Sequence, residues 1–166
     1  MRIIGIDPGS LATGYGIVEA SGRRPSHVAS GRILSPASLA FNWRLENIFR
    51  ELTAIIGEHA PQVMAVEDLF YARNVKTALK LGHVRGVVIL AGIKAGLNIA
   101  EYSPLEVKQA LVGYGRAQKK QVQIMVQNLL SLEGLPQADT ADALAVAICH
   151  LHSCQVTSRI ARGMTS

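Results

Sequence analysis

Arg2-Ile3-Ile4-Gly5-Ile6-Asp7-Pro8-Gly9-Ser10 decides the fold. β-Branched residues run up to a carboxylate, and a Pro-Gly turn follows at once. That is the pattern of a buried strand with an acid at its tip. Residues 13–20 carry further β-branched and aromatic residues, with Gly14 and Gly16 leaving room for another backbone to approach. They predict a second strand. Ser21-Gly22-Arg23-Arg24-Pro25 reads as a turn and residues 27–34 as a third strand. Three strands joined by tight turns make an antiparallel meander.

Outward from that start, Leu45, Ile48, Phe49, Leu52, Ile55 and Ile56 recur at helical spacing. Pro61 lies beyond them, and residues 62–67 read as a short strand closed by Glu67. Helix followed by strand predicts a parallel crossover back onto the first sheet. Residues 68–76 read as an irregular polar-aromatic segment. A long helix is predicted from about Thr77 to Gly96, apolar on more than one face, and a fifth strand over 98–102. Ser103-Pro104-Leu105-Glu106 is a capping box with proline at the first helical position. That helix stops at Gly113-Tyr114-Gly115. Lys119 begins another, broken by Gly134-Leu135-Pro136, and the last runs from about Asp139 to His152. The expectation is an α/β fold: a mixed five-stranded sheet with helices on both faces, one domain over 1–153, and a flexible basic tail over 154–166.

A chain of 166 residues suits a single domain. The net charge of +5 favours an acidic partner, nucleic acid first. The N-terminus reads as a strand, not a signal peptide. The longest apolar stretch, Gly86 to Ala100, contains Lys94 and Asn98 and is too short to span a bilayer. A soluble cytoplasmic protein without a membrane partner is expected. Cys149-His150-Leu151-His152-Ser153-Cys154 matches no zinc-finger spacing and reads as an exposed helix end.

The chemistry lies in four carboxylates: Asp7, Glu67, Asp139 and Asp142. Acids at the ends of buried strands are costly unless a cation meets them. Asp139 and Asp142 fall on one helical face. Together the four could hold two Mg²⁺ ions about 3.5–4 Å apart, and Mg²⁺ favours a few carboxylates plus substrate phosphate. A strand-end Asp before a glycine turn is also the phosphate loop of actin-like ATPases and sugar kinases. That reading needs a second domain and a second such loop, for which the chain has no room. A basic protein with an acidic metal pocket points to an enzyme that grips a polyanion and cuts it.

Five stretches extend the reading: Ile4-Gly5-Ile6-Asp7-Pro8-Gly9, Val66-Glu67-Asp68-Leu69-Phe70, Ala78-Leu79-Lys80-Leu81-Gly82-His83-Val84-Arg85-Gly86-Val87, Val107-Lys108-Gln109-Ala110-Leu111-Val112-Gly113, and Gln137-Ala138-Asp139-Thr140-Ala141-Asp142-Ala143-Leu144-Ala145. In content and order the chain resembles the RuvC family of bacterial Holliday junction resolvases, within the RNase H-like (retroviral integrase) superfamily. The resemblance implies an RNase H-like fold and a homodimer that nicks four-way junction DNA symmetrically in recombination and repair. It implies Mg²⁺ as cofactor, two ions per site with Mn²⁺ as substitute, and products with 5′-phosphate and 3′-hydroxyl ends. RuvA and RuvB are the implied partners. The family's metal-binding acids fall on Asp7, Glu67, Asp139 and Asp142. Its basic residues near the cleaved strand fall on Lys108 and Lys119, the latter counted as catalytic, and its base-contacting aromatic falls on Phe70. Tyr71, Arg73, Lys76, Lys80, Arg116 and Lys120 are expected as further DNA contacts. The alternatives are a related nuclease for another nucleic-acid structure and an actin-like nucleotide-binding module.

Overall fold

A computed structural model describes residues 1–21, 24–68 and 74–163; for Ser21 and residues 155–163 it describes the backbone alone. The elements follow in the order β1 (Arg2–Asp7), β2 (Ala12–Ser21), β3 (Arg24–Leu34), α1 (Phe41–His59), β4 (Val63–Glu67), α2 (Val75–Lys94), β5 (Asn98–Tyr102), α3 (Pro104–Val112), α4 (Lys119–Leu130) and α5 (Ala138–Gly163). The five strands form one sheet in the order β3-β2-β1-β4-β5. β1, β2 and β3 are antiparallel neighbours, while β4 pairs parallel with β1 and β5 parallel with β4.

Side chains alternate between the faces of a strand, and that parity sorts the core. Ile3, Val18, Val63 and Ala65 pack under α3, α4 and α5. Ile4, Ile6, Ile17, Ile33, Met64 and Val66 pack under α1 and α2. Each fully buried valine, isoleucine or methionine among them contributes roughly 1.5–3 kcal/mol. The same parity sends Asp7, two residues on from Gly5, and Glu67, two on from Ala65, to the face that α5 covers.

α5 lies unusually close to that face. A Cβ on Gly5 would run into the Ala143 carbonyl, and one on Gly14 into the Asp139 carbonyl. Two strand residues without side chains, facing an alanine-rich helix, therefore allow backbone to rest nearly on backbone. The stretch from Ala143 to Cys149 is buried throughout. Thr140 adds a hydroxyl donated to the Gly31 carbonyl at 3.4 Å, tying the start of α5 to β3.

Several element limits differ from the sequence expectation. β3 begins at Arg24, taking in two residues assigned to a turn. It is an edge strand, where Pro25 is tolerated despite its missing N–H. α1 begins at Phe41 and α2 at Val75, where Asn74 caps the helix by accepting from the Lys76 N–H at 2.8 Å. α4 ends at Leu130 because Ser131 turns left-handed (φ 52°), before the Gly134 that was expected to stop it. α5 does not stop near His152. Its backbone stays helical through the expected tail as far as Gly163, and the sequence offers no proline or glycine in between to end it.

Candidate active site

Asp7 ends β1 and Glu67 ends β4, on adjacent parallel strands, with Ile6 opposite Val66 one step earlier. Strand spacing sets their backbones about 4.8 Å apart. Asp142 approaches from the first turns of α5. The three carboxylates line one cleft of about 270 Å³, together with Pro104, Val107 and Lys108 of α3 and Lys119 and Val122 of α4. Lys119 donates from Nζ to Asp142 Oδ2 at 3.1 Å. α3 is fixed here by the anticipated cap: Ser103 accepts from the Glu106 N–H, and Glu106 accepts from the Ser103 N–H at 2.7 Å.

Electrostatics mark the cleft as overcharged. Burial, reinforced by the charges of Glu67, Asp142 and Asp139, pushes the Asp7 carboxyl up to about 8. Glu67 is raised as well, by burial first and then by Asp142, against a lowering hydrogen bond with Asp7. Asp142 in turn holds the Lys119 ammonium above its ordinary range. Three carboxyl groups thus share the cleft with two lysines.

The fourth acid does not join them. Asp139 turns to Arg32 of β3, with Nη1 and Oδ2 3.6 Å apart, and does not line the cleft. With Asp139 held by Arg32 and Asp142 by Lys119, the described residues form no group of three or more Asp, Glu, His or Cys ready to hold a metal. The donor set nevertheless fits a hard divalent cation: it offers only carboxylate oxygens, and the burial that, with neighbouring acids, raises Asp7 and Glu67 is a cost that a cation would offset.

The remaining expected residues fall unevenly. Lys108 and Lys119 line the cleft; Lys120 is exposed and outside it, and Arg116 is exposed in the α3–α4 connection. Lys76 and Lys80 are exposed on the first turns of α2, Lys80 with its Nζ 5.6 Å above the Phe41 ring. Phe70, Tyr71 and Arg73 lie outside the described residues. α2 also carries an open apolar groove of about 760 Å³, with Val75, Leu79 and Leu90 exposed along it.

Two residues were missed by sequence reasoning. One is Arg32; the parity of Ile33, which faces α1 and α2, would have placed it on the carboxylate side. The other is Arg85 of α2, which reaches Asp68 at 3.5 Å and also pairs with Glu101, tying α2 to the tips of β4 and β5. No sequence signal announced it. The Cys149–Cys154 segment is not the exposed helix end expected. Cys149 is buried because the middle of α5 is enclosed on all sides. His150 hydrogen-bonds the Tyr102 hydroxyl at 2.8 Å, and its Nε2 lies 3.4 Å from Cys154 Sγ.

With this geometry in hand, comparison with known proteins is specific. The family model described as crossover junction endodeoxyribonuclease RuvC matches residues 3–150. A protein of that name from Syntrophomonas wolfei is 50% identical over 159 residues, 95% of this chain and 92% of its own length. One from Pelobacter propionicus is 55% identical over 153 residues, 92% of this chain and 87% of its own. Among solved structures, T. thermophilus RuvC in complex with Holliday junction substrate superposes with a TM-score of 0.90 at 31% sequence identity, covering 95% of this chain and 96% of that one.

Proposed function

The chain belongs to the RuvC family, and from that premise we propose that it is a crossover junction endodeoxyribonuclease that resolves Holliday junctions by paired symmetric nicking. Its mixed five-stranded sheet is the RNase H-like fold of its structural neighbours. The observation that carries the reading is the convergence of Asp7, Glu67 and Asp142 with Lys108 and Lys119 in one cleft at the sheet's edge.

Asp7, Glu67, Asp139 and Asp142 are the residues that would hold Mg²⁺, two ions per site with Mn²⁺ as substitute. When bound, the metal supplies an activated water and charge stabilisation at the cleaved phosphate. The protein's own side chains do the rest. Lys108 and Lys119 bring cations to the wall of the cleft, where a phosphate entering beside the carboxylates would otherwise be repelled. Lys119 stays protonated beside Asp142, so its charge is available as negative charge builds on the phosphate oxygens. The basic residues Arg73, Lys76, Lys80, Arg116 and Lys120 grip the flanking backbone, and Phe70 and Tyr71 stack on bases at the crossover. The products carry 5′-phosphate and 3′-hydroxyl ends.

Two symmetric cuts require two sites related by a two-fold axis. The open apolar groove along α2 is the surface that joins the two copies of a homodimer. The RuvA and RuvB branch-migration proteins are its cellular partners, and the cytoplasm is its compartment. Among the described residues no helix is long and apolar enough to cross a membrane.

The test is a synthetic four-way junction labelled on each strand in turn. Paired nicks in opposed strands, dependent on Mg²⁺ or Mn²⁺ and absent from linear duplex, are expected. Failure to nick with either metal, or saturable ATP binding instead, would overturn the reading.

A further inference from the structure

We propose that Arg32 is a built-in counter-ion of Asp139, a positioning residue that a divalent cation must displace before all four carboxylates face the cleft. The proposal rests on reading Asp139 as a metal ligand. Its basis is a row of residues running straight across the sheet. Arg32 on β3 is in register with Gly14 on β2, and Gly14 with Asp7 on β1. Gly14 has no side chain, and the backbone of Asp139 rests directly on it. Asp139 therefore sits above the middle of the row, with a cation on one side and a crowded carboxyl on the other. Its side chain goes to the cation, at 3.6 Å, and leaves the cleft. Thr140, bonded to the Gly31 carbonyl, keeps the start of α5 beside Arg32.

The pair suits a displaceable contact. Its partners are 33% and 37% exposed, so water screens it and the attraction is small. A divalent cation carries twice the charge of the guanidinium and would share Asp7, Glu67 and Asp142 as well. Arg32 offsets part of the Asp139 charge that would draw the metal, and so weakens metal binding. Lys119 likewise pairs with Asp142 at 3.1 Å, so two of the four acids each have a cationic partner.

The experiment measures Mg²⁺ affinity of DNA-free protein from the rise of melting temperature with Mg²⁺ concentration. Arg32→Met, which keeps the apolar stem, should bind Mg²⁺ about 3- to 10-fold more tightly than wild type, the range expected for removing one screened, competing charge. Arg32→Lys should restore most of the wild-type affinity. Arg24→Gln, which removes the same charge from the far end of β3, should change affinity less than twofold. Asp139→Asn separates the two readings. If it leaves affinity unchanged, Asp139 is no ligand and the underlying assignment fails. If it weakens binding while Arg32→Met does not tighten it, or if Arg24→Gln tightens it equally, the counter-ion role alone is overturned. In the Asp139→Asn background the Arg32→Met effect should disappear, and an undiminished effect would equally refute it.

Discussion

Replacing Asp7 with asparagine should make the metal-free protein more stable while abolishing its cleavage of DNA. The Asp7 carboxyl is raised from 3.8 to about 8, so across that interval the folded chain holds a proton that the unfolded chain has released. Stability from this group is therefore complete below about pH 4 and falls as pH rises through the folded value. Each tenfold change in proton affinity between the two states is worth about 1.4 kcal/mol. The full span would reach roughly 5–6 kcal/mol at pH above 8, but Glu67 shares the same interaction and water relieves part of the burial. That leaves a penalty on the order of 3 kcal/mol. Asparagine keeps the shape and cannot ionise. For a chain of this size 1 kcal/mol moves the melting temperature by about 2–4 °C. In chelator, Asp7→Asn should thus melt about 6–12 °C above wild type at pH 8.5, with the gap closing towards pH 4. Junction affinity should survive, because it comes mainly from Lys and Arg contacts to phosphate. Melting curves from pH 4 to 8.5 with and without Mg²⁺, and strand-labelled nicking assays, check both halves. A variant that melts at or below wild type at pH 8.5, or that still nicks junctions at near wild-type rate, would refute the reasoning.

Lys119→Ala should lower turnover more than junction binding, since its charge gains value in the transition state; equal losses would mark it as a simple phosphate anchor, and Lys120→Ala should do less in both. Leu79→Glu, on the open face of α2, should shift sedimentation at micromolar concentration from dimer to monomer and uncouple the paired cuts, whereas a wild-type monomer with full paired cleavage would contradict the dimer. Phe70→Ala should impair closed junctions more than junctions already unpaired at the cut site, because stacking on a base is worth about 1–3 kcal/mol; equal slowing of both, or a lowered melting temperature, would make Phe70 a core residue.

Most of what positions the site was legible because it follows from local rules. Asp7 and Glu67 close apolar runs, so their strand-end positions were plain, whereas the face they share emerged from the packing of the sheet. Ser103 to Glu106 announced α3 unaided. Other features depend on tertiary contacts that the local pattern leaves incomplete. An arginine on an edge strand looks like a solvated charge until α5 lays Asp139 beside it. The left-handed Ser131 carries no signal of the kind glycine gives. The burial of Cys149 comes from neighbours on every side of α5, which periodicity along one helix does not record.

The pairing of β1 with β4 has a consequence for redesign. Asp7 and Glu67 are held apart by a ladder of peptide hydrogen bonds, so their separation is a fixed baseline that no exchange of core side chains will stretch. Repacking Met64 or Val66 can soften the protein yet leave that baseline intact. Only a slip of register disturbs it, and a slip of one residue in β4 would turn Glu67 to the opposite face of the sheet. The site should therefore fail as a switch fails, all at once, and tolerate gradual change in everything beneath it.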